Sequence, residues 1–313
     1  MAIKSRFAVT KKYNFMKNNL SRNTAFTLTE LSIVIIIIGI VIAGIVSSKD
    51  IIAAAKLRSA RALTESSAVR SIEDLAVWYE TTLPESFDDD VDFTSQTDNV
   101  VSVWHDINPE QSVSGRGDAV QTVQADKPSL ANDAINGLPA LKFIGSTHHL
   151  LNQKILLKKN VSIFAVATIA TNPDERSVII SGYDDYYFFF GFSAVNNQFS
   201  TFYGDGSSWS NQWTFGADSR LKRGKPYIIS STLETAGTGH LNGVNVGTLS
   251  QSKGKSGSFG HIIGKARRIT DTNPWNGYIG EIIIFNKKLT SDERRSVETY
   301  LGKKWGIKVA GEN

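Results

Sequence analysis

Two aromatic segments with interspersed acids hold the side chains best suited to chemistry. The first is Tyr183-Asp184-Asp185-Tyr186-Tyr187-Phe188-Phe189-Phe190. The second is Tyr203-Gly204-Asp205-Gly206-Ser207-Ser208-Trp209-Ser210-Asn211-Gln212-Trp213. Flat aromatic faces stack on sugar rings, while carboxylates and amides bind hydroxyls. Tyr183, Asp184, Asp185, Tyr203, Asp205, Trp209 and Trp213 are therefore the candidate ligand-binding residues. A strand over the first segment turns Tyr186, Phe188 and Phe190 one way and Tyr187 and Phe189 the other, so one set belongs to a core. The Gly/Ser-rich loop with Trp209 and Trp213 suits a ligand better, because binding residues concentrate on loops over rigid scaffolds. The alternative is that both indoles close one end of the domain. Asp184, Asp185 and Asp205 offer the oxygen ligands that Ca²⁺ takes, the one cofactor the acids suggest.

Catalytic patterns are missing. His105, His148, His149, His240 and His261 show no metal-ligand spacing. No Gly-x-Ser-x-Gly elbow or phosphate loop occurs. Glu281 is the one acid in the apolar run 280–286. The expectation is a protein that is no enzyme. Arg116-Gly117-Asp118 matches an adhesion tripeptide, but matches of this length arise by chance and a turn explains it. Asp88, Asp89, Asp90 and Asp92 lack the Gly turn and ligand spacing of an EF-hand loop and read as a solvated linker.

A further acid, Glu30, stands at the front of the apolar run 31–46, where a charge is costly and calls for a function. Lys4, Arg6, Lys11, Lys12, Lys17 and Arg22 precede it without any acid. Ala25-Phe26-Thr27-Leu28-Thr29-Glu30 resembles the processing site of type IV prepilins and pseudopilins, with Ala25 where Gly is usual. The resemblance implies cleavage after Ala25 by a prepilin peptidase/methylase and N-methylation of Phe26. It also implies that Glu30 neutralises the N-terminal amine of a neighbouring subunit.

The six basic charges of the leader account for the net +4, since the remainder carries −2. No nucleic-acid motif lies behind the basic balance, and no nucleic-acid partner is expected. There is no cysteine, hence no disulfide framework and no thiol metal site. Basic residues before an apolar span stay cytoplasmic. A helix over 26–55 would reach about 45 Å, enough for a bilayer core of about 30 Å. This predicts a single-pass inner-membrane protein, spanning over about 28–50, with its bulk outside.

Apolar residues three or four apart continue through Ile52, Ala55, Ala60, Leu63, Val69, Ile72, Leu75, Ala76 and Tyr79, so the helix is expected to run over 26–83 and stop at Pro84. A linker over 84–99 follows. From 100 onward, strands are expected over 161–170, 177–181, 186–192, 198–203, 227–233, 244–249, 261–264 and 280–285, separated by turns. Asn242-Gly243 signals a two-residue hairpin. Thr290 and Glu293 form a capping box for a last helix, with Val297, Tyr300, Leu301 and Trp305 on one side.

Val103-Trp104-His105-Asp106-Ile107-Asn108-Pro109, Asn136-Gly137-Leu138-Pro139-Ala140-Leu141 and Trp275-Asn276-Gly277-Tyr278-Ile279-Gly280-Glu281-Ile282-Ile283-Ile284-Phe285 are similar to the laminin-G-like branch of the concanavalin A-like jelly rolls. Asn108-Pro109-Glu110 departs from the usual turn there. The fold class expected is α+β: leader 1–25, long N-terminal helix 26–83, linker 84–99, and an all-β sandwich with a short C-terminal helix over 100–313. Glycosidases of that fold pair carboxylates on one strand, a pattern Glu281 does not complete. Together the two resemblances imply a minor pilin or pseudopilin-like envelope protein with a lectin-like head. Other pilin subunits, the inner membrane and glycans are its implied partners. An anchored carbohydrate-binding protein outside any fibre, or a pseudopilin of a secretion or DNA-uptake system, is the alternative.

Overall fold

The computed structural model describes residues 28–88, 91–93, 95, 99–112, 115–145, 147–155, 157, 160–170, 177–183, 188–192, 198–203, 212–215, 219–233, 236–250, 260–266 and 273–311. The chain divides into two units, Met1–Asp50 and Ile51–Asn313. In the first, the described residues are helical, the start of α1 (Leu28–Glu65), with Glu30 in its first turn. The leader, Ala25 and Phe26 lie outside the described residues. Among the described residues no helix is long and apolar enough to cross a membrane. That overturns the expected inner-membrane span; the side chains of residues 40–49 are outside those described.

The second unit is a β-sandwich with a helical cover. Among the described residues, one antiparallel sheet has nine strands. These are β15 (Val244–Ser250), β14 (Ala236–Leu241), β13 (Pro226–Leu233), β8 (Val161–Ile169), β17 (Gly277–Phe285), β6 (Leu138–Phe143), β5 (Ser129–Ile135) and β2 (Asn99–Val100) in order, with β1 (Leu75–Glu80) also on β17. The other has eight: β12 (Gln212–Thr214), β11 (Phe199–Tyr203), β10 (Phe188–Phe192), β9 (Ser177–Gly182), β16 (His261–Ile263), β7 (Leu150–Asn152), β4 (Ala119–Val120) and β3 (Val103–Trp104).

Strand β8 shows why the first sheet sits in the middle. Val161, Ile163, Ala165, Ala167 and Ile169 enter the core between the sheets. The alternate residues Phe164 and Val166 enter a second apolar layer. A strand buried on both faces loses the apolar/polar alternation of a half-exposed one. That second layer is closed by Ala60 of α1 and by Val297, Tyr300, Leu301 and Trp305 of α2 (Ser291–Trp305). The capping box of α2 is present, Thr290 Oγ1 accepting from the Glu293 amide while the Glu293 carboxylate accepts from the Thr290 amide. Asn242 and Gly243, at φ 49° and 78°, make the expected turn between β14 and β15, a backbone that matches the strand twist.

The long helix ends earlier than its periodicity implies. Thr64 and Ser66 hydroxyls turn back onto the carbonyls of Ala60 and Ala62, a bond that competes with helix continuation. A 3₁₀ turn (Ala68–Ser71) and the left-handed Asp74 (φ 64°) then reverse the chain into β1. Ala76, Val77 and Tyr79 join the inter-sheet core and Leu75 and Trp78 the outer layer. The expected helix 66–83 is thus a turn and a strand, because the apolar spacing there serves two opposite faces. The expected linker begins with a 3₁₀ turn (Pro84–Ser86) in which Ser86 is buried, followed by the buried Phe87.

Candidate functional site

Pairing brings distant residues to one end of the eight-stranded sheet. Gln212 stands opposite Phe202, Tyr203 opposite Phe188, and Ser181 opposite Phe189. His261 pairs with both Gly182 and Asn152. Val120 pairs with Leu151, and Trp104 with Ala119. The chain therefore leaves or enters at this rim at Tyr183, Tyr203, Gln212, Gly260, Asp118 and His105. Both aromatic segments singled out in the sequence are rooted there, on adjacent hairpins. Tyr183 is half-buried and its amide donates to the Gly260 carbonyl (2.9 Å). Tyr203 lies in β11, and Trp213 in β12 opposite Thr201. Asp184, Asp185, Asp205 and Trp209 lie outside the described residues, and the Ca²⁺ expectation falls on them. Among the described residues, no group of three His, Asp or Glu could hold a metal.

The rim also carries a cluster that sequence reasoning passed over. His105 Nε2 meets Asp88 Oδ1 at 3.0 Å, and its Nδ1 lies 3.2 Å from Asp118 Oδ2. The second contact is within ion-pair distance but off the ideal hydrogen-bond alignment. Contact with Asp118 raises the His105 pKa most, burial opposes it, and Asp88 adds to the rise. Burial works against ionisation of Asp118, but His105, the Asp106 amide and Arg116 outweigh it and hold its pKa below the usual value. These side chains are half-exposed, at 23% for His105 and 24% for Asp118, so a ligand can reach them.

Beneath the cluster lies the scaffold that fixes it. Asp106 is fully buried and accepts from the amides of Trp78 (2.8 Å), Asn108 (3.0 Å) and Gly117 (3.2 Å). Burial raises its pKa to about 6 against those three bonds. Tyr79 Oη and Asn152 Nδ2 both donate to the Gly117 carbonyl. Asn152 Nδ2 also donates to Tyr79 Oη (2.9 Å), which lies 2.9 Å from His261 Nε2. Burial alone lowers the His261 pKa to about 3, so the ring is neutral. A Cβ on Gly117 would collide with Ile155 and come within 2.7 Å of Asn152 Nδ2. The tripeptide Arg116-Gly117-Asp118 is therefore an irregular connection into β4 rather than the expected turn, its glycine demanded by packing and its aspartate beside His105.

Glu281 lies elsewhere and does a different job. A bulge between Ile279 and Glu281 turns its side chain under α2. There it accepts from Trp78 Nε1 (2.8 Å), Tyr300 Oη (2.7 Å) and Trp305 Nε1 (2.8 Å). Lys304 Nζ sits 2.9 Å from it and 2.7 Å from Glu80. Glu80 accepts further from Thr82, Leu83 and Ser86. Burial opposes its ionisation, yet the Lys304 charge and these bonds hold its pKa below the usual value.

The β-sandwich is similar to solved structures. The botulinum neurotoxin serotype D binding domain matches with a TM-score of 0.52 at 13% identity, over 76% of this chain and 53% of that one. Trypanosoma rangeli sialidase in complex with sialic acid matches at 0.49 and 15% identity, over 76% and 34%. Domain 4 of AbnA, a GH43 extracellular arabinanase from Geobacillus stearothermophilus, in complex with arabinotriose, matches at 0.46 and 13%, over 70% and 96%. The chain spans about a third of the length of the sialidases it matches. No protein family and no curated protein matches it. At such identities the likeness to the toxin domain shows the fold alone, a β-sandwich. One expectation is corrected: a sialidase and a domain of a GH43 arabinanase stand among the similar chains, so the reading of the protein as no enzyme is withdrawn.

Proposed function

We propose that the chain is a pilin-like subunit whose β-sandwich head binds a glycan at the rim of the eight-stranded sheet. The observation that carries the binding reading is the convergence of the Tyr183 and Tyr203 hairpins on the rim that holds His105 and Asp118. The aromatic face of Tyr183 with the carboxylates of Asp88 and Asp118 and the His105 imidazole on one edge are groups of the kind that recognise a polyol. The subunit reading is supported by α1. It opens two residues after Phe26 with Glu30 in its first turn, and Leu28, Leu31, Ile33, Val34, Ile35, Ile36, Ile37 and Ile38 are 44–85% exposed. A helix so apolar calls for cover. Equivalent helices of neighbouring subunits supply it, with Glu30 meeting a methylated Phe26 amine, after a prepilin peptidase/methylase has removed the leader.

The test of the subunit reading is the N-terminal mass of the protein from its native host. A species beginning at methylated Phe26 is expected, and Glu30→Ala should remain folded but fail to enter fibres. An uncut chain, or normal incorporation of that variant, rejects it. For the head, the full chain is applied to a neutral glycan array read for both retention and turnover. Asp118→Asn or His105→Gln should weaken retention; full retention in both rejects the rim.

A further inference from the structure

The opposite end of the sandwich carries a second, chemically different surface. Tyr278 stands opposite Lys142 on one side and Thr168 on the other, and directly paired residues share a face. All three therefore lie on the helix-covered face of the nine-stranded sheet, at its uncovered end. Tyr278 is half-exposed, and Ile144 beside it is 51% exposed. The buried Thr168 hydroxyl has no hydrogen-bond partner among the described residues. A pocket of about 210 Å³ opens here, lined by Lys142, Ile144, Ala170, Asn276 and Tyr278 among others.

A basic turn adjoins it. The Gly224 amide donates to the Ile169 carbonyl (2.8 Å), one residue before Ala170 of the pocket wall, and the Lys225 amide to the Lys222 carbonyl (3.2 Å). Lys222, Arg223 and Lys225 are all exposed. An acid, Asp126, lies on the Lys142 side: burial lowers the pKa of the neighbouring His148, and the charges of Asp126 and Lys142 act on it with opposite sign.

We infer that this end is a binding site for an anionic polysaccharide, one ring seated against Tyr278 with its acid group toward Lys142, and the following residues lying along the 222–225 turn. The pocket is below the roughly 300–1,000 Å³ of drug-sized sites, so it takes a single ring rather than an oligomer. An aromatic beside a cation suits an acidic sugar: the ring offers an apolar face and the ammonium a charge partner. The inference is independent of the rim reading, since no residue is shared.

The folded full chain is passed over immobilised polygalacturonate, dextran sulfate, neutral dextran and single-stranded DNA at low and high salt. Retention on polygalacturonate or dextran sulfate and not on neutral dextran is expected, and the stronger of the two identifies the acid as carboxylate or sulfate. Tyr278→Leu and Lys142→Gln should each weaken retention about tenfold. Joint replacement of Lys222, Arg223 and Lys225 by Gln should weaken it similarly and flatten its salt dependence. Neutral-glycan retention at the rim should be unchanged in all of these variants. Absence of retention on both acidic polymers overturns the inference. So does equal retention on DNA with Tyr278→Leu and Lys142→Gln indistinguishable from the parent, which would make the turn a generic polyanion surface.

Discussion

Two clusters of the sandwich set a pair of carboxylates around one basic side chain, and they are treated in opposite ways. Under α2, Glu80 and Glu281 share Lys304, are essentially inaccessible to solvent, and receive donors from β1, from α2 and from the segment 82–86. At the rim, Asp118 and Asp88 share His105, and all three side chains reach solvent. The first arrangement spends its charge on holding α1, β1, β17 and α2 together: Tyr300 Oη also bonds Thr64 of α1 at 3.2 Å. The second leaves charge where a ligand can meet it. Burial depth, rather than residue type, separates a fastener from a site.

The contrast breaks most visibly at Lys304. Replacing it with Met leaves two buried carboxylates with one cation fewer, and a broken buried pair costs about 3–5 kcal/mol. Chemical denaturation followed by the fluorescence of Trp78 and Trp305 reads the loss. The pH dependence sharpens it. In the parent, Glu80 has a lowered pKa, so its contribution is complete above about pH 4.5 and falls away as pH drops. Without Lys304, burial should make Glu80 prefer to be protonated, and acid should stabilise the variant relative to its value at pH 7. A loss below about 1 kcal/mol, or an unchanged acid limb, would make the cluster ornamental.

Two glycines test the packing beneath each cluster. Gly117→Ala drives a methyl into Ile155 and Asn152 at the rim, and Gly280→Ala drives one into the Trp305 indole under α2, with ring carbons at 2.7 and 2.8 Å. Overpacking of this kind costs about 1–3 kcal/mol. Gly117→Ala should also disturb His105, through Asp118, and so weaken rim binding, whereas Gly280→Ala should leave binding intact. Thermal melts and glycan retention on both variants decide; equal effects on binding would dissolve the distinction.

Much of this was legible in the chain, and the gaps have physical causes. Eight strands, the Asn242-Gly243 turn and the capped last helix follow from local rules, because each is settled within a few residues. Strand β1 was misread, since Leu75, Ala76 and Tyr79 sit at helical spacing and only partners some 200 residues away, Ile282 to Phe285, make them a strand. Glu281 read only as the single acid of an apolar run, since the bulge and α2 that enclose it leave no local signal. His105 and Asp118 looked unrelated because β3–β4 pairing, which no local signal announces, sets them side by side.

The smallest effect expected belongs to His105, and it reports whether the rim is a soft site. Its pKa is raised by Asp118 and Asp88, so its stabilising charge is fully present below the unfolded value of about 6.5 and is lost as pH rises through the folded value. Solvent reaches all three groups, so the contribution is discounted to less than about 1 kcal/mol. Asp106 gives a separate signal: its pKa of about 6 lies above that of an unfolded aspartate, so its ionisation erodes stability between about pH 4 and 6 and no further. Melting temperatures of the parent and His105→Gln should therefore converge only as pH climbs beyond about 6.5. Convergence confined to the lower window would assign the effect to Asp106 instead. A constant gap across both would mean that His105 acts by packing and not by charge.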